Sequence, residues 1–259
     1  MSNNCENCPS HNVANLVKLG VIMDRFDYLV ALAGNPNTGK STVFNNLTGL
    51  HQHTGNWPGK TVARAEGGFN YGEDRFKMVD LPGTYSLLST STDEEVARDF
   101  ILFGQPDVTV IVVDATRIER NLNLVLQILE ITDRVVVCLN LMDEAKRHHI
   151  DIDVRSLSRE LGVPVIPATA RSNQGMDDLL QSIAEVAKGK FKPNPRRLKN
   201  HTPKLDAAIE QLSDMLLQQF PNLSNVRWVA LRILEGDQSI IEAVKSGDLG
   251  TVKADAEQA

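Results

Sequence analysis

The feature that most constrains the fold is the segment at residues 34–41, which reads GNPNTGKS and fits the pattern G-x-x-x-x-G-K-[ST]. An apolar run predicts a strand over residues 28–33, just before this segment, and a helical pattern runs from Lys40 towards Leu47, just after it. Glycines let such a loop wrap closely around phosphates and direct its N–H groups at them, while the helix N-terminus favours negative charge. The segment therefore predicts a phosphate-binding loop in an α/β nucleotide-binding domain.

Short apolar runs that alternate with helical patterns predict the rest of this domain. Two valine-rich runs suit central strands buried on both faces, and the pattern between them predicts a helix with one apolar stripe. The layout is typical of a mostly parallel sheet with helices on both faces. The predicted strands lie at residues 63–71, 75–79, 108–113, 135–139 and 163–167, and the predicted closing helix lies at residues 176–187.

Two further motifs stand at the ends of predicted strands. Residues 80–83 read DLPG and fit D-x-x-G, in which the aspartate can hold Mg²⁺ through water and the glycine N–H can bond the γ-phosphate. Residues 140–143 read NLMD and fit N-x-x-D, in which the Asp143 carboxylate can accept from N1–H and the exocyclic amine of guanine. The alternative is that Asn140 merely caps a helix. In this order the motifs predict guanine-nucleotide binding, and residues 169–171 lie where GTPases supply a backbone N–H to the guanine O6.

The polar, glycine-rich segment at residues 51–61 is expected to be a loop. Such loops are ordered by contacts with Mg²⁺ and the γ-phosphate and are released after hydrolysis. Thr61 is the candidate for the threonine that makes these contacts, and the alternative is that it begins the next strand. Trp57 either anchors a partner or packs locally.

Together these segments resemble the cytosolic N-terminal part of the bacterial ferrous iron transport protein B family. The resemblance rests on GNPNTGKSTVFNNLTG, GNWPGKTV, DLPGTYSL and VVDATRIERNLNLVLQILE followed by NLMDEA, and it covers about Asp27 to Leu180. The GNWPGKTV and ERNL segments separate this family from ordinary small GTPases.

The resemblance implies a GTPase that converts GTP to GDP and phosphate and so switches between two states. It implies that Asn37 helps to hold a monovalent cation, usually K⁺, whose charge takes the place of an arginine finger. It also implies a polytopic membrane domain that this chain lacks, so we expect a soluble fragment of a protein at the cytoplasmic face of the bacterial inner membrane. The implied partners are guanine nucleotides, that membrane domain and small cytosolic components of iron uptake, with a homo-oligomer left open.

Lys40 is expected to reach the phosphates, and Thr84 stands where many GTPases carry a water-orienting glutamine, so we expect slow intrinsic turnover. The predicted catalytic residues are Asn37, Lys40, Thr61 and Gly83. The predicted metal ligands are Ser41, Thr61 and Asp80 for Mg²⁺ and Asn37 for K⁺. The predicted nucleotide-binding residues are Gly34, Asn35, Pro36, Asn37, Thr38, Gly39, Lys40, Ser41, Thr42, Gly59, Lys60, Thr61, Asp80, Gly83, Asn140, Met142, Asp143, Thr169, Ala170 and Arg171.

The composition changes after the predicted closing helix. Residues 188–204 are rich in lysine, arginine and proline and contain no acidic residue, which is typical of a linker. Helices are predicted beyond it at residues 205–220, 226–235 and 239–244. We therefore divide the chain into an N-terminal extension of unknown role (1–26), a GTPase domain (27–190), a basic linker (191–204) and a helical domain (205–259), whose counterpart in the family is described as slowing GDP release.

Composition and charge weigh on the alternatives. The formal net charge of -6 argues against a nucleic-acid binder, and hence against a GTPase of ribosome assembly or RNA modification. A third hypothesis, a nucleotide sensor without useful hydrolysis, stays open because of Thr84. No apolar stretch approaches the roughly 18–20 residues that span a bilayer.

The cysteines give separate expectations. Cys138 lies in an apolar run and is expected to be a buried, reduced thiol. Cys5 and Cys8 form a CxxC followed by His11, which could supply ligands to iron or zinc or could belong to a polar terminus without a metal. Met23 could be an alternative start, in which case residues 1–22 would be dispensable.

Overall fold

The computed structural model describes residues 13–49, 52–88, 91–196, 202–221, 223 and 225–246. Cys5, Cys8 and His11 lie outside them. Strands and helices alternate along most of the described chain. The strands are β1 (Tyr28–Gly34), β2 (Gln52–Asn56), β3 (Ala63–Tyr71), β4 (Asp74–Asp80), β5 (Val108–Asp114), β6 (Val135–Asn140) and β7 (Val165–Pro167). The helices are α1 (Val13–Lys18), α2 (Lys40–Thr48), α3 (Thr92–Asp99), α4 (Ile118–Ile131), α5 (Met142–Arg147), α6 (Val154–Leu161), α7 (Met176–Ala187), α8 (Pro203–Gln219), α9 (Val226–Leu234) and α10 (Gln238–Ser246).

The strands form one seven-stranded sheet in the order β2-β3-β4-β1-β5-β6-β7. The β2–β3 and β3–β4 pairs are antiparallel, whereas β1 pairs in parallel with β4 and β5, and the β5–β6 and β6–β7 pairs are also parallel. This confirms the predicted fold class, a phosphate-loop α/β fold with a mostly parallel sheet and an all-α C-terminal part. Because the parallel strands end at one edge of the sheet, the loops that follow β1, β4 and β6 meet there.

Helices cover both faces of the sheet, and the alternation of side chains along β1 serves both. On one face, α2 and α7 contribute Phe44 and Ile183 to a core that contains Val30. On the other face, Leu29 belongs to a core that includes α4 and continues into the C-terminal helices through Trp228. Central parallel strands are buried on both sides, which explains their continuous valine-rich runs. None of the helices in the described ranges has the length and apolarity needed to cross a membrane.

Helix α3 and the π-helical segment Phe100–Gly104 that continues it were absent from the sequence-based expectations. The Ser91 side chain caps α3 by accepting a hydrogen bond from the Glu94 N–H. All residues of the π-helical segment are buried. The signal was present in the sequence, because serine followed three residues later by glutamate is a helix N-terminus pattern.

Three expectations about local structure are wrong. The segment predicted as a loop at residues 51–61 contains β2, whose polar residues pair with β3 and lack the apolar alternation that marks a half-buried strand; His51 lies outside the described residues. Residues 1–22 are not all dispensable, because Leu16, Leu19 and Val21 are buried in the core. Strand β7 begins at Val165, after Pro164, which has no N–H to donate to a sheet.

Candidate nucleotide-binding site

The predicted phosphate loop lies between β1 and α2 and is tightly enclosed at two glycines. Gly39 has φ +81°, and a Cβ added there would lie 2.5 Å from Nδ2 of Asn140. A Cβ on Gly34 would lie 2.7 Å from the backbone oxygen of Val112 in β5. Within the loop, the Thr38 hydroxyl donates to the Asn35 oxygen at 2.9 Å. Side chains at either glycine would therefore displace the loop from the sheet.

Lys40, at the start of α2, contacts the end of β4. Its ammonium group donates to Oδ1 of Asp80 and, at 2.7 Å, to the Leu81 oxygen. Burial raises the pKa of the Asp80 carboxyl above its ordinary value, although the positive charge of Lys40 opposes that rise. The two groups compensate each other's charge in a desolvated place. A phosphate with a divalent cation would offer each of them an opposite charge in the same way.

The D-x-x-G segment rests on the phosphate loop. The Thr84 N–H donates to the Gly34 oxygen at 3.3 Å, and Thr84 is buried. A Cβ on Gly83 would lie 3.4 Å from the backbone nitrogen of Pro36. The structure thus brings together the first two sequence motifs, as the common edge of parallel strands requires.

Asn140 joins the phosphate loop to the third and fourth segments. Its Nδ2 donates to the Thr38 oxygen at 3.0 Å, and its Oδ1 accepts from the Ala170 N–H at 2.9 Å. The side chain is buried. Helix α5 is preceded by Leu141 at φ +63° and has no side-chain cap. The helix-cap alternative for Asn140 is therefore wrong, and its amide instead holds two loops together.

Asp143 and Met142 stand in the first turn of α5. The Asp143 carboxylate is partly exposed and lies 3.1 Å from Nη2 of Arg147. The Met142 N–H donates to the Ala168 oxygen at 3.2 Å, which ties α5 to the end of β7. This places Asp143 beside the loop that contains Ala170, where a planar base could lie between them.

The loop at residues 169–171 has one further support that sequence reasoning missed. Nδ2 of Asn46 in α2 donates to the Ala170 oxygen at 2.5 Å. Thr169 and Ala170 are buried, whereas Arg171 is exposed. No spacing rule relates Asn46 to this loop, since the contact depends on the way α2 crosses the sheet.

The phosphate side of the site is more open than the base side. Ser41 and Thr61 are exposed, and Thr61 makes no hydrogen bond with another residue in the described part of the chain. We call residues 57–61 the switch loop. Gly59 in this loop has φ +66°, and the Lys60 ammonium lies 3.0 Å from Oε2 of Glu95 in α3.

The oxygen donors of the candidate metal ligands suit the predicted cations. Serine, threonine and aspartate oxygens are hard ligands of the kind that Mg²⁺ prefers, and Ser41 and Asp80 lie on elements joined by the Lys40 contact. Asn37 is exposed at the top of the phosphate loop with φ +66°. Its amide oxygen is available there to a monovalent cation.

Trp57 of the switch loop and the nearby Arg64 turn away from the site. Nη1 of Arg64 donates to the Leu19 oxygen at 3.0 Å, and its Nε lies 2.9 Å from the Glu66 carboxylate. Trp57 is buried with its ring edge-on to Phe100, at 5.6 Å between centroids. Trp57 therefore packs locally, as one of its two alternatives proposed.

Cys138 lies in β6, beneath the base side of the site. It is a free, fully buried cysteine, as expected. Burial raises the pKa of its thiol to about 12, so it stays protonated and unreactive at neutral pH.

Comparison with protein families matches both parts of the chain. The FeoB_N model, described as ferrous iron transport protein B, matches residues 28–183, and the model of the FeoB cytosolic helical domain matches residues 201–259. The chain belongs to the ferrous iron transport protein B family. The Fe(2+) transporter FeoB of Salmonella typhimurium is 41% identical to it over 213 aligned residues, and the match covers 80% of this chain and 27% of that relative.

Solved structures of FeoB resemble this chain over most of its length. The cytosolic domain of L. pneumophila FeoB has a TM-score of 0.77 and 36% identity, covering 89% of this chain and 90% of that chain. The apo form of the T. maritima cytosolic domain has a TM-score of 0.76 and 36% identity, covering 89% of each chain. A GDP-bound mutant of S. thermophilus NFeoB has a TM-score of 0.75 and 35% identity, covering 84% of this chain and 82% of that chain. The chain is thus a FeoB GTPase domain followed by the helical domain of this family.

Proposed function

We propose that this chain is the regulatory GTPase part of a bacterial ferrous iron membrane transporter, in which slow, Mg²⁺-dependent and K⁺-stimulated GTP hydrolysis switches the domain between GTP and GDP states. The observation that carries the proposal is the double hydrogen bond of Asn140 to Thr38 and Ala170. It joins the phosphate loop and the loop after β7 into one frame beside Asp143. The frame is suited to a ligand with phosphates at one end and guanine at the other.

On the base side, Asp143 would accept two hydrogen bonds from guanine. The loop at residues 169–171 would donate to the guanine O6 a backbone N–H other than that of Ala170, which is bonded to Asn140. Adenine offers the opposite pattern at these positions, so it would leave the carboxylate unsatisfied. A site built to hydrogen-bond its ligand rejects an analogue without those groups by about 10,000-fold or more. We therefore propose specificity for guanine rather than a general affinity for nucleotides.

On the phosphate side, Lys40 would exchange Asp80 for the β- and γ-phosphates, and the Gly83 N–H would hold the γ-phosphate. Ser41, Asp80 and Thr61 would hold Mg²⁺, which when bound neutralises charge on the phosphates. Asn37 would hold K⁺, whose positive charge replaces that of an arginine finger. Thr84 is buried beneath the loop. With threonine here in place of a glutamine, backbone groups and the bound cations would place the attacking water, which is consistent with slow turnover.

We divide the chain into a GTPase domain (27–190), a basic linker (191–204) and a helical domain (205–259). One buried contact supports communication between the first and the last. Nη1 of Arg98 in α3 lies 3.9 Å from Oδ2 of Asp237, next to α10, and both side chains are buried. Because α3 follows the D-x-x-G segment, this contact would let the helical domain act on the loops of the nucleotide site, which supports the proposal that it slows GDP release.

The transport role is inferred from relatives that are named Fe(2+) transporters, of which this chain spans 27%. We propose that a membrane transport domain is its main partner and that the chain lies at the cytoplasmic face of the inner membrane. Small cytosolic components of iron uptake and a second copy of the chain are further proposed partners. The alternative, a GTPase of ribosome assembly or RNA modification, has no support from the family matches.

The test is nucleotide binding and phosphate release by the purified chain in Mg²⁺ and K⁺. We expect micromolar or tighter binding of GDP and GTP, no comparable binding of ATP, and slow release of phosphate from GTP. Equal affinity for ATP and GTP would contradict the base assignment. Tight GTP binding without phosphate release in K⁺ would instead favour a nucleotide sensor.

A further inference from the structure

Residues 13–27, which we call the N-terminal strap, precede the first residue matched by the FeoB_N model. The strap packs against the π-helical segment that follows α3. Leu16 is fully buried, and a Cβ on Gly104 would lie 3.2 Å from its Cδ2. The side-chain amide of Asn15 donates to the Phe103 oxygen at 2.9 Å. One side of the strap is therefore fixed to the element that continues the helix after the D-x-x-G segment.

The other side of the strap contacts the switch loop through Arg64. The Arg64 guanidinium donates to the Leu19 oxygen at 3.0 Å and lies 5.6 Å from the centroid of the Trp57 ring. Gly20 has φ +75°, and a Cβ added there would lie 2.5 Å from Nη1 of Arg64 and 2.7 Å from Cγ of Pro58. The strap, Arg64 and the switch loop are in direct contact, with no room for another atom at Gly20.

A buried group of charges fixes the strap to the sheet beside Arg64. The Ile22 N–H donates to the Glu66 carboxylate at 3.2 Å, and Glu66 also lies 2.9 Å from both Nε of Arg64 and Nζ of Lys77. Lys77 in turn donates to the Ile22 oxygen and lies 2.7 Å from the Asp24 carboxylate. Glu66 and Lys77 are almost fully buried, so their charges depend on these partners. The strap supplies part of that compensation.

Trp57 shows that the switch loop depends on contacts outside itself. Its indole N–H is buried and has no hydrogen-bond partner in the described ranges, which is unfavourable for a group that prefers a partner or water. The ring is held between Phe100 and Arg64. In the same arrangement of the switch loop, Thr61 is exposed and Lys60 pairs with Glu95 in α3.

We propose that the N-terminal strap is an autoinhibitory element of this GTPase, which uses Arg64 to hold the switch loop in the arrangement that leaves Thr61 exposed. The inference rests on the proposed function, in which Thr61 moves to Mg²⁺ and the γ-phosphate when GTP binds. A contact that stabilises one arrangement of the switch loop weakens the binding of any ligand that needs the other arrangement. GTP needs Thr61 to move, whereas GDP does not. The strap therefore lowers the affinity for GTP relative to GDP, with Arg64 as a positioning residue.

The experiment compares the full chain with two single variants, Arg64→Gln and Gly20→Ala, and with their double variant. Affinities for GDP and for a non-hydrolysable GTP analogue are measured by isothermal titration calorimetry in Mg²⁺. We expect the ratio of analogue affinity to GDP affinity to rise about 5-fold to 50-fold in each single variant, which lies within the usual range for coupled sites. The double variant should change the ratio no further than the larger single change, because both break one contact.

Gly72→Ala is the matched control. Gly72 has φ +65°, so an alanine there is strained in the same way as an alanine at Gly20. Unlike at Gly20, nothing lies within 4 Å of the added Cβ. A general loss of folding lowers both affinities together and the melting temperature, whereas release of the strap changes their ratio. An unchanged or lowered ratio in Arg64→Gln and Gly20→Ala, or an equal rise in Gly72→Ala, overturns the autoinhibitory role. Failure of the parent chain to bind either nucleotide would refute the proposed function itself, and this inference with it.

Discussion

On the base side of the candidate site, Asn140 is buried and both ends of its amide are bonded, whereas on the phosphate side Ser41 and Thr61 are exposed. The base side is held by contacts among the site's own segments. The phosphate side is held from outside, by the Lys60–Glu95 pair and by the strap through Arg64. The first arrangement suits binding, because a preorganised frame loses little freedom when the ligand arrives. The second suits switching, because outside contacts can be exchanged without rebuilding the site.

The comparison explains why one site can bind both GDP and GTP and still tell them apart. The groups that would recognise guanine are the same for both ligands and lie on the rigid base side. The groups that would sense the γ-phosphate lie on a loop with competing contacts. Changes on the base side should therefore alter affinity for both nucleotides equally, and changes on the phosphate side should alter hydrolysis or the preference between them.

The largest expected effect follows from Asp143→Asn. Loss of two hydrogen bonds to a charged acceptor should lower the affinities for GDP and GTP about 100-fold to 10,000-fold, by the same factor for each. The variant should also bind xanthine nucleotides. Competition titrations with GTP, GDP and XTP measure it. Asp177→Asn, at the same place in the first turn of α7, is the control and should bind as the parent does. A variant that binds GTP normally would show that Asp143 does not read the base.

The next effect concerns Asn37 and K⁺. Removing one preorganised electrostatic group from a transition state costs on the order of 100–1000-fold in rate, so Asn37→Ala should lose that much turnover in K⁺. Its affinity for GDP should hardly change, in contrast to the Asp143 variant. Phosphate release is followed in K⁺ and in Na⁺, with Asn225→Ala as a control at a similar φ of +59°. Equal rates in both salts for the parent would remove the cation from the mechanism, and K⁺ stimulation that survives in Asn37→Ala would identify a different ligand.

A smaller effect is expected where the helical domain meets α3. In Arg98→Met, the Asp237 carboxylate keeps its contact with Arg232 at 3.3 Å, but the Asp99 carboxylate loses its contact with Arg98. This loss should lower the free energy of unfolding by about 1–3 kcal/mol. Burial already raises the pKa of Asp99, and Arg98 opposes this. The difference in unfolding free energy between the parent and Arg98→Met should therefore shrink as the pH falls through the raised pKa of Asp99 in the folded state, because protonation removes the unpaired negative charge.

Urea unfolding of the parent and of Arg98→Met at several pH values measures the difference in unfolding free energy. Arg159→Met, on the exposed face of α6, is the control. A loss that is constant with pH would mean that the cost lies in packing rather than in charge. An effect on GDP release larger than that of the control would connect the helical domain to the phosphate side of the site.

The smallest effect is expected for Lys60→Gln. The pair with Glu95 is partly exposed to solvent, and such pairs contribute about 0–1 kcal/mol. The preference between GDP and a GTP analogue should change less than about fivefold, below the effect of Arg64→Gln. Lys204→Gln in α8 is the control for the loss of one charge. A larger change than that of Arg64→Gln would mean that Lys60, rather than the strap, is the main outside support of the switch loop.

Much of the fold and of the base side could be predicted because their signals are local. The valine-rich runs of β5 and β6, the glycines of the phosphate loop and the aspartates at strand ends each follow from short-range backbone or burial requirements. The π-helical segment Phe100–Gly104 and β2 were missed for opposite reasons. The π-helical segment is buried on all sides, so its apolar residues do not repeat at the helical period. Strand β2 is an edge strand of polar residues, and its pairing with β3 leaves no pattern in the sequence.

By itself the sequence determined the family, the order of the motifs and the sheet that brings them to one edge, because parallel strands place their carboxyl ends together whatever the loops contain. Only the tertiary structure decided what each polar side chain contacts. The sequence allowed Asn140 either to cap a helix or to belong to the base-binding motif. Its hydrogen bond with the Ala170 N–H, at 2.9 Å from Oδ1, depends on where the loop after β7 lies. Arg64 follows Thr61 by only three residues, and the structure shows that its guanidinium contacts the Leu19 oxygen of the strap. Hydrogen bonds need positions correct to within about half an ångström, and those positions come from packing between elements far apart in the chain.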